Sequence, residues 1–132
     1  MSSALTSFSF PTTILFGRGS LAELPPRLPR VKIQRPLVVT DPGLLPTEAF
    51  QLLKKTLGAD RQGKSWFVFS GVNPNPIERD VIEGAAAFRS NQCDGVIADP
   101  PVCGDLGLTE HIRRRACADR QETQRRAEDP LA

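Results

Sequence analysis

Tyrosine is absent from the sequence, tryptophan, histidine and methionine occur once each, and no lysine follows Lys64. The one histidine, His111, cannot supply a three-histidine metal site, and its place among arginines reads as a solvated position. The three cysteines, Cys93, Cys103 and Cys117, are odd in number and sit in no metal-ligand spacing. That argues against a disulfide framework and a zinc knuckle, and for a reducing compartment. No apolar run reaches the ~20 residues needed to span a bilayer. Met1-Ser2-Ser3-Ala4-Leu5-Thr6-Ser7 lacks the basic and apolar regions of a secretory signal, so the expected location is cytoplasmic, with no membrane partner. A formal net charge of +2 is too small to announce nucleic acid.

What is present is an ordinary globular balance, 39% hydrophobic and 24% charged over 132 residues, which is one domain's worth of chain. The balance is uneven along the sequence. All eight aromatic residues lie at or before Phe88, whereas Leu108 to Ala132 has no aromatic, no glycine and six of the thirteen arginines. Large apolar anchors are normally spread through a domain because every packed element buries a face. The composition therefore divides the chain at about residue 98, into a segment 1–98 and an Arg/Ala-rich tail 99–132.

From Ser7 to Ala98 short apolar runs alternate with helical periodicity, the pattern of an α/β layer fold on a mostly parallel sheet. Strands are expected at Phe8 to Phe16, with Pro11 marking an edge position or the entry to the strand, and at Leu37 to Thr40, Trp66 to Ser70 and Gly95 to Ala98. Thr47 should cap a helix with Phe50, Leu53 and Leu57 on one face and Gly58 at its end. Asn75 at the N-cap, Pro76 at the first helical position and Glu78 at the third predict a second helix, with Ile77, Val81, Ala85 and Phe88 inward. After Ser20, Pro25, Pro26 and Pro29 should leave a helix short or broken. From Thr109 the tail has the propensity for a frayed, mobile helix, its apolar face being Ile112 and little else.

In open parallel sheets ligands bind beyond the carboxyl ends of the strands. Asp41, just past the second apolar run, is placed to accept both ribose hydroxyls of an adenosine, or equally to open a turn. Two prolines stiffen Asn73-Pro74-Asn75-Pro76, where Asn75 either caps the helix or faces a nucleotide. For Arg113-Arg114-Arg115 the nearby Glu110, Asp119 and Glu122 favour a balanced surface over a phosphate site.

In order and spacing, Phe10-Pro11-Thr12-Thr13-Ile14-Leu15-Phe16-Gly17-Arg18-Gly19-Ser20, Leu37-Val38-Val39-Thr40-Asp41-Pro42-Gly43, Gly71-Val72-Asn73-Pro74-Asn75-Pro76 and Cys93-Asp94-Gly95-Val96-Ile97-Ala98 resemble the N-terminal domain of iron-containing alcohol dehydrogenases. The resemblance covers residues 7 to 98. It implies an incomplete Rossmann-like α/β domain that binds NAD(P), with Asp41 on the adenosine ribose, Asn75 lining the cofactor site, and NAD favoured because a carboxylate repels a 2′-phosphate. It also implies hydride transfer between a small alcohol or aldehyde and the nicotinamide, assisted by divalent iron or zinc held in a helical domain. The ligands for that metal are absent here. Related expectations are a maleylacetate-reductase-like or glycerol-dehydrogenase-like oxidoreductase, or a non-catalytic assembly protein that self-associates through open strand edges.

Where the family places Gly-Gly-Gly-Ser after the Val-Ile-Ala strand, this chain has Asp99-Pro100-Pro101-Val102-Cys103. Two prolines remove N–H donors and a carboxylate repels phosphates, so dinucleotide affinity should be greatly reduced and the chain alone should be catalytically inactive. Truncation or a reading-frame shift at about codon 98 would explain the joint change of composition and resemblance. Ala-Asp-Pro encoded as GCG GAT CCN contains GGA TCC, a Gly-Ser pair, in another frame. Reading the gene in its other two frames decides the matter.

Overall fold

The computed structural model describes residues 4–10, 12–73, 75–99 and 106–128. Strands β3 (Pro36–Val39), β4 (Phe67–Phe69) and β5 (Gly95–Ala98) form a parallel sheet in the order β4-β3-β5. The middle strand is apolar on both faces, and its pleat divides the core between them. Leu37 and Val39 point into one cluster with Phe67, Val72, Ala85, Phe88, Ile112 and Ala116. Val38 points into the other with Phe50, Leu53 and Trp66. Helices cover each face, giving the α/β layers expected from the sequence.

On the Val38 side lie α1 (Leu24–Arg27) and α2 (Glu48–Leu57). Prolines 25 and 26 occupy the first turn of α1, which is a single turn flanked by 3-10 segments, as the proline spacing predicts. Thr47 caps α2, its Oγ1 accepting from the Phe50 N–H at 3.3 Å, and Gly58 ends the helix at φ 94°. Trp66 is 2% exposed and donates through Nε1 to the Gly58 carbonyl at 2.8 Å, tying β4 to the end of α2.

On the opposite face lie α3 (Glu78–Ser90) and α4 (Leu106–Glu128). The helix expected from Asn75 begins at Glu78 instead, with Ile77 as the cap. Asp80, rather than Glu78, reaches back to the cap: its Oδ2 accepts from the Ile77 N–H at 3.0 Å. Its Oδ1 accepts from Asn73 Nδ2 at 2.8 Å. One buried carboxylate thus satisfies the helix start and the loop before it, and Asn75 stays exposed in a bend.

The tail is helical, as expected, but it is packed and not a free helix. Helix α4 docks along α3 and β5, with Ile112 and Ala116 fully buried. Gly84 permits the approach: a Cβ there would come within 2.6 Å of Ile112 Cδ1. Arg89 of α3 pairs with Asp119 of α4, which also receives Arg115 at 3.2 Å. A small residue on one helix facing a branched side chain on the other makes a seam that reading each helix alone does not reveal.

The first expected strand is two strands, β1 (Thr6–Phe10) and β2 (Thr12–Phe16), paired antiparallel with Phe10 opposite Thr12. Position 11 lies outside the described residues. This hairpin is a separate two-stranded sheet with Ile14 and Phe16 largely exposed. At the amino end of the parallel sheet, Asp94 accepts from the backbone N–H groups of Gln34 and Arg35 at 2.9 and 2.8 Å. Arg35 in turn donates to the carbonyls of Asn91 and Lys64 and lies over the Phe67 ring, so that end is stitched shut. No helix among the described residues is long and apolar enough to cross a membrane.

Candidate functional site

The carboxyl ends of β3, β4 and β5 open onto the same edge, where parallel sheets place ligands. Three chain segments meet it: Thr40-Asp41-Pro42-Gly43, the described residues 70–73 and 75–77, and Asp99. Asp41 is half-buried, extended at φ −89° and ψ 143°, and caps the turn that follows, its Oδ1 accepting from the Gly43 N–H at 2.6 Å. A Cβ on residue 43 would sit 3.0 Å from that oxygen, so glycine there keeps the turn tight. Asn75 follows β4, the neighbour of β3, and so lies at the same end of the sheet as Asp41. Of the rigid Asn73-Pro74-Asn75-Pro76 stretch, position 74 lies outside the described residues. The remainder is held in place by Asn73 on Asp80.

Asp99 closes the ends of β3 and β5. Its N–H donates to the Val39 carbonyl at 3.0 Å, and its Oδ2 accepts from the Thr40 hydroxyl at 3.3 Å. Thr40 is fully buried and Asp99 is 8% exposed. Burial raises the Asp99 pKa above the usual carboxylate value, opposed in part by the Thr40 hydroxyl. A raised folded-state pKa means that ionising Asp99 opposes folding. The cost is absent below the unfolded carboxylate pKa and is complete above the folded one. Asp99→Asn, which keeps an acceptor for Thr40, should therefore raise the melting temperature at neutral pH. The gain should vanish as pH falls through the carboxylate range, as calorimetric melts of both proteins across pH would show.

This corner does not fit the pyrophosphate of a dinucleotide, because a desolvated carboxylate bonded to Thr40 stands where phosphates would need donors. Residues 100–103 of the departing segment lie outside the described residues. A metal fares no better: among the described residues no group of three or more His, Cys, Asp and Glu side chains could hold one. His111 is exposed on α4 beside Arg114 and Arg115. Glu110 is clasped by Arg113 at 2.6 and 2.8 Å and by Arg114 at 2.7 Å, which hold its carboxyl down to about 2. Much of the arginine charge is thereby met within the helix, as its composition predicts. The Cys93 thiol is pushed up to about 11 by burial and is not poised as a nucleophile.

Asp80 and the Thr40–Asp99 contact were not legible as partners in the sequence. The one available signal was an acidic residue three positions after Ile77, which competes with Glu78 for the capping role.

The model of the family described as iron-containing alcohol dehydrogenase matches residues 11–98. This chain belongs to that family. The lactaldehyde reductase of Escherichia coli (strain K12) is 35% identical over 86 residues, covering 65% of this chain and 22% of the relative. The NAD-dependent methanol dehydrogenase of Bacillus methanolicus is 28% identical over 94 residues, covering 71% and 24%. A crystal structure of 1,3-propanediol oxidoreductase superposes with a TM-score of 0.55 at 26% identity, covering 74% of this chain and 24% of that one. The chain thus spans about a quarter or less of the length of these relatives. The family match ends on Ala98, the last residue of β5.

Proposed function

We propose that this chain is the first part of an NAD(P)-dependent, metal-dependent alcohol dehydrogenase, the enzyme type that transfers hydride between a small alcohol or aldehyde and a nicotinamide. The observation that carries this reading is the family match over residues 11–98, which spans β2 to β5; Asp41 and Asn75, which follow β3 and β4 at the carboxyl end of the sheet, are assigned to the cofactor on that basis. Asp41 is the group for an adenosine ribose, and Asn75 is exposed in the adjoining loop. The carboxylate favours NAD over NADP, and an NAD-dependent methanol dehydrogenase stands among the relatives. Metal chemistry in such an enzyme polarises the substrate oxygen, and the ligands for it do not lie among the described residues. The boundary near residue 98 separates the family segment from a tail that supplies helix α4 in place of a glycine-opened phosphate helix.

No step of hydride transfer can be assigned to these residues, and the purified chain is expected to show no alcohol-dependent reduction of NAD. Absorbance assays with short primary alcohols and added divalent iron or zinc check this, and measurable turnover would overturn it. Calorimetric titration should give weak binding of NAD, weaker still for NADP, and no binding of either to Asp41→Ala. Equal affinity of wild type and Asp41→Ala would remove Asp41 from the site.

A further inference from the structure

The segments that lead into β3 and β4, residues 27–35 and 54–66, lie side by side because those strands are parallel neighbours, and they form the end of the sheet opposite Asp41. Together they hold eight of the seventeen Lys and Arg residues, all four lysines among them, and a single acidic residue, Asp60. Their net charge of +7 stands against +2 for the whole chain, so the remainder carries −5. Arg30, Lys32, Lys55, Arg61 and Lys64 are exposed there. Among the described residues the ion pairs all lie on α3 and α4, so none of these five cations is paired. Gathering like charges without a counter-charge opposes folding, and a bound anion relieves it. Lys32 adds a second cost, holding a left-handed backbone at φ 60° where glycine or asparagine is the ordinary choice. Between the two segments opens a cleft of about 320 Å³, lined by Pro29 and Ile33 from one and by Leu57, Arg61 and Trp66 from the other.

We propose that this end of the sheet docks an extended acidic segment of a partner protein, with the cleft taking one of its apolar side chains and the exposed lysines and arginines meeting its carboxylates. Charge complementarity selects the sign of the partner, and the cleft selects its class. An aliphatic and proline lining between basic rims suits an apolar side chain, which a phosphate polymer lacks. Nucleic acid would also call for exposed rings to stack its bases, whereas Trp66 and Phe67 at this end are buried, Phe67 beneath the Arg35 guanidinium. An anionic bilayer would meet the charged rims and leave the cleft unfilled. Asp41 and Asn75 stand at the other end of the sheet, so this surface is independent of the cofactor reading.

The test uses the whole chain and a dye-labelled peptide of alternating aspartate and glutamate with a central leucine, its binding followed by fluorescence anisotropy. Binding should saturate, weaken as salt rises, and fall severalfold when serine replaces the leucine of the peptide. Arg61→Glu combined with Lys64→Glu should weaken it at least tenfold, whereas Arg125→Glu, at an exposed position of α4, should leave it unchanged. Lys32→Gly should weaken binding without lowering the melting temperature, which separates loss of docking from loss of fold. Absence of binding overturns the proposal, as does binding that ignores the double substitution or the leucine, or that falls equally with Arg125→Glu. Tighter binding of a single-stranded DNA oligonucleotide or of phosphatidylserine vesicles also overturns it. So does salt-sensitive self-association that the double substitution abolishes, which would assign this face to a second copy of the chain.

Discussion

Ile112→Ala should lower the unfolding free energy by roughly 2–5 kcal/mol, the usual cost of emptying a fully buried aliphatic site. Ile112 is 0% exposed and sits against Gly84 on α3, in the cluster that also holds Leu37, Val39, Phe67 and Phe88. A helix end that merely rode on the surface would tolerate the change within about 0.5 kcal/mol. Urea melts read by two probes separate these cases. Trp66 lies in the cluster on the other face of the sheet, so its fluorescence reports the domain, while circular dichroism is weighted towards the long α4. Coincident transitions, both shifted by the substitution, are expected. An early loss of helix with an unmoved Trp66 transition would show that α4 is an accessory and not part of the core.

Asp80→Ala should cost about 1–3 kcal/mol, because it removes the helix cap on the Ile77 N–H and the bond from the Asn73 amide in one step, at roughly 0.5–1.5 kcal/mol for each hydrogen bond lost. Asp80 is 1% exposed and holds both partners within 3.0 Å. Asp80→Asn should recover only part of the loss, since the amide can accept through one atom and must turn a donor towards a donor at the other. The same substitution loosens the loop that carries Asn75. Amide hydrogen exchange over residues 71–77 should therefore rise more than global unfolding accounts for. Unchanged exchange in that loop with normal stability would remove Asp80 from its anchoring role.

The short apolar strands, the proline-broken segment after Ser20 and the Thr47-to-Gly58 helix were readable because each is specified locally, by periodicity, by missing N–H groups and by cap chemistry. Phe8 to Phe16 was misread as one strand because β-rich residues stand on both sides of Pro11 with no glycine, asparagine or aspartate beside it to mark a reversal. The helix after the Asn73-Pro74-Asn75-Pro76 loop was placed two residues too early. Asn75 and Glu78 satisfy the capping pattern better on paper than Ile77 and Asp80 do, since isoleucine has no side-chain acceptor, and burial of Asp80 with its bonds to Ile77 and Asn73 decides otherwise. The tail was underestimated for a similar reason: a face of Ile112 and Ala116 looks thin until Gly84 on another helix lets it come close.

That Asp41 and Asn75 would lie at one end of the sheet was legible from position, since both follow apolar runs and such residues end up on one edge whenever the runs pair in parallel; their roles toward a cofactor come from the family resemblance. What Asp99 does there was half legible. Its charge could be weighed against phosphates, whereas its burial against Thr40 depended on β3 and β5 being neighbours.

By itself the sequence determined the α/β class and the family, because strand composition and ordered motifs are properties of the linear chain. The tertiary structure alone decided that α4 belongs to the core, that Asp80 anchors the loop, and that Thr40 and Asp99 close the corner of the sheet. Each of these depends on contacts between residues far apart in sequence, and local propensity carries no information about such contacts until packing brings them together.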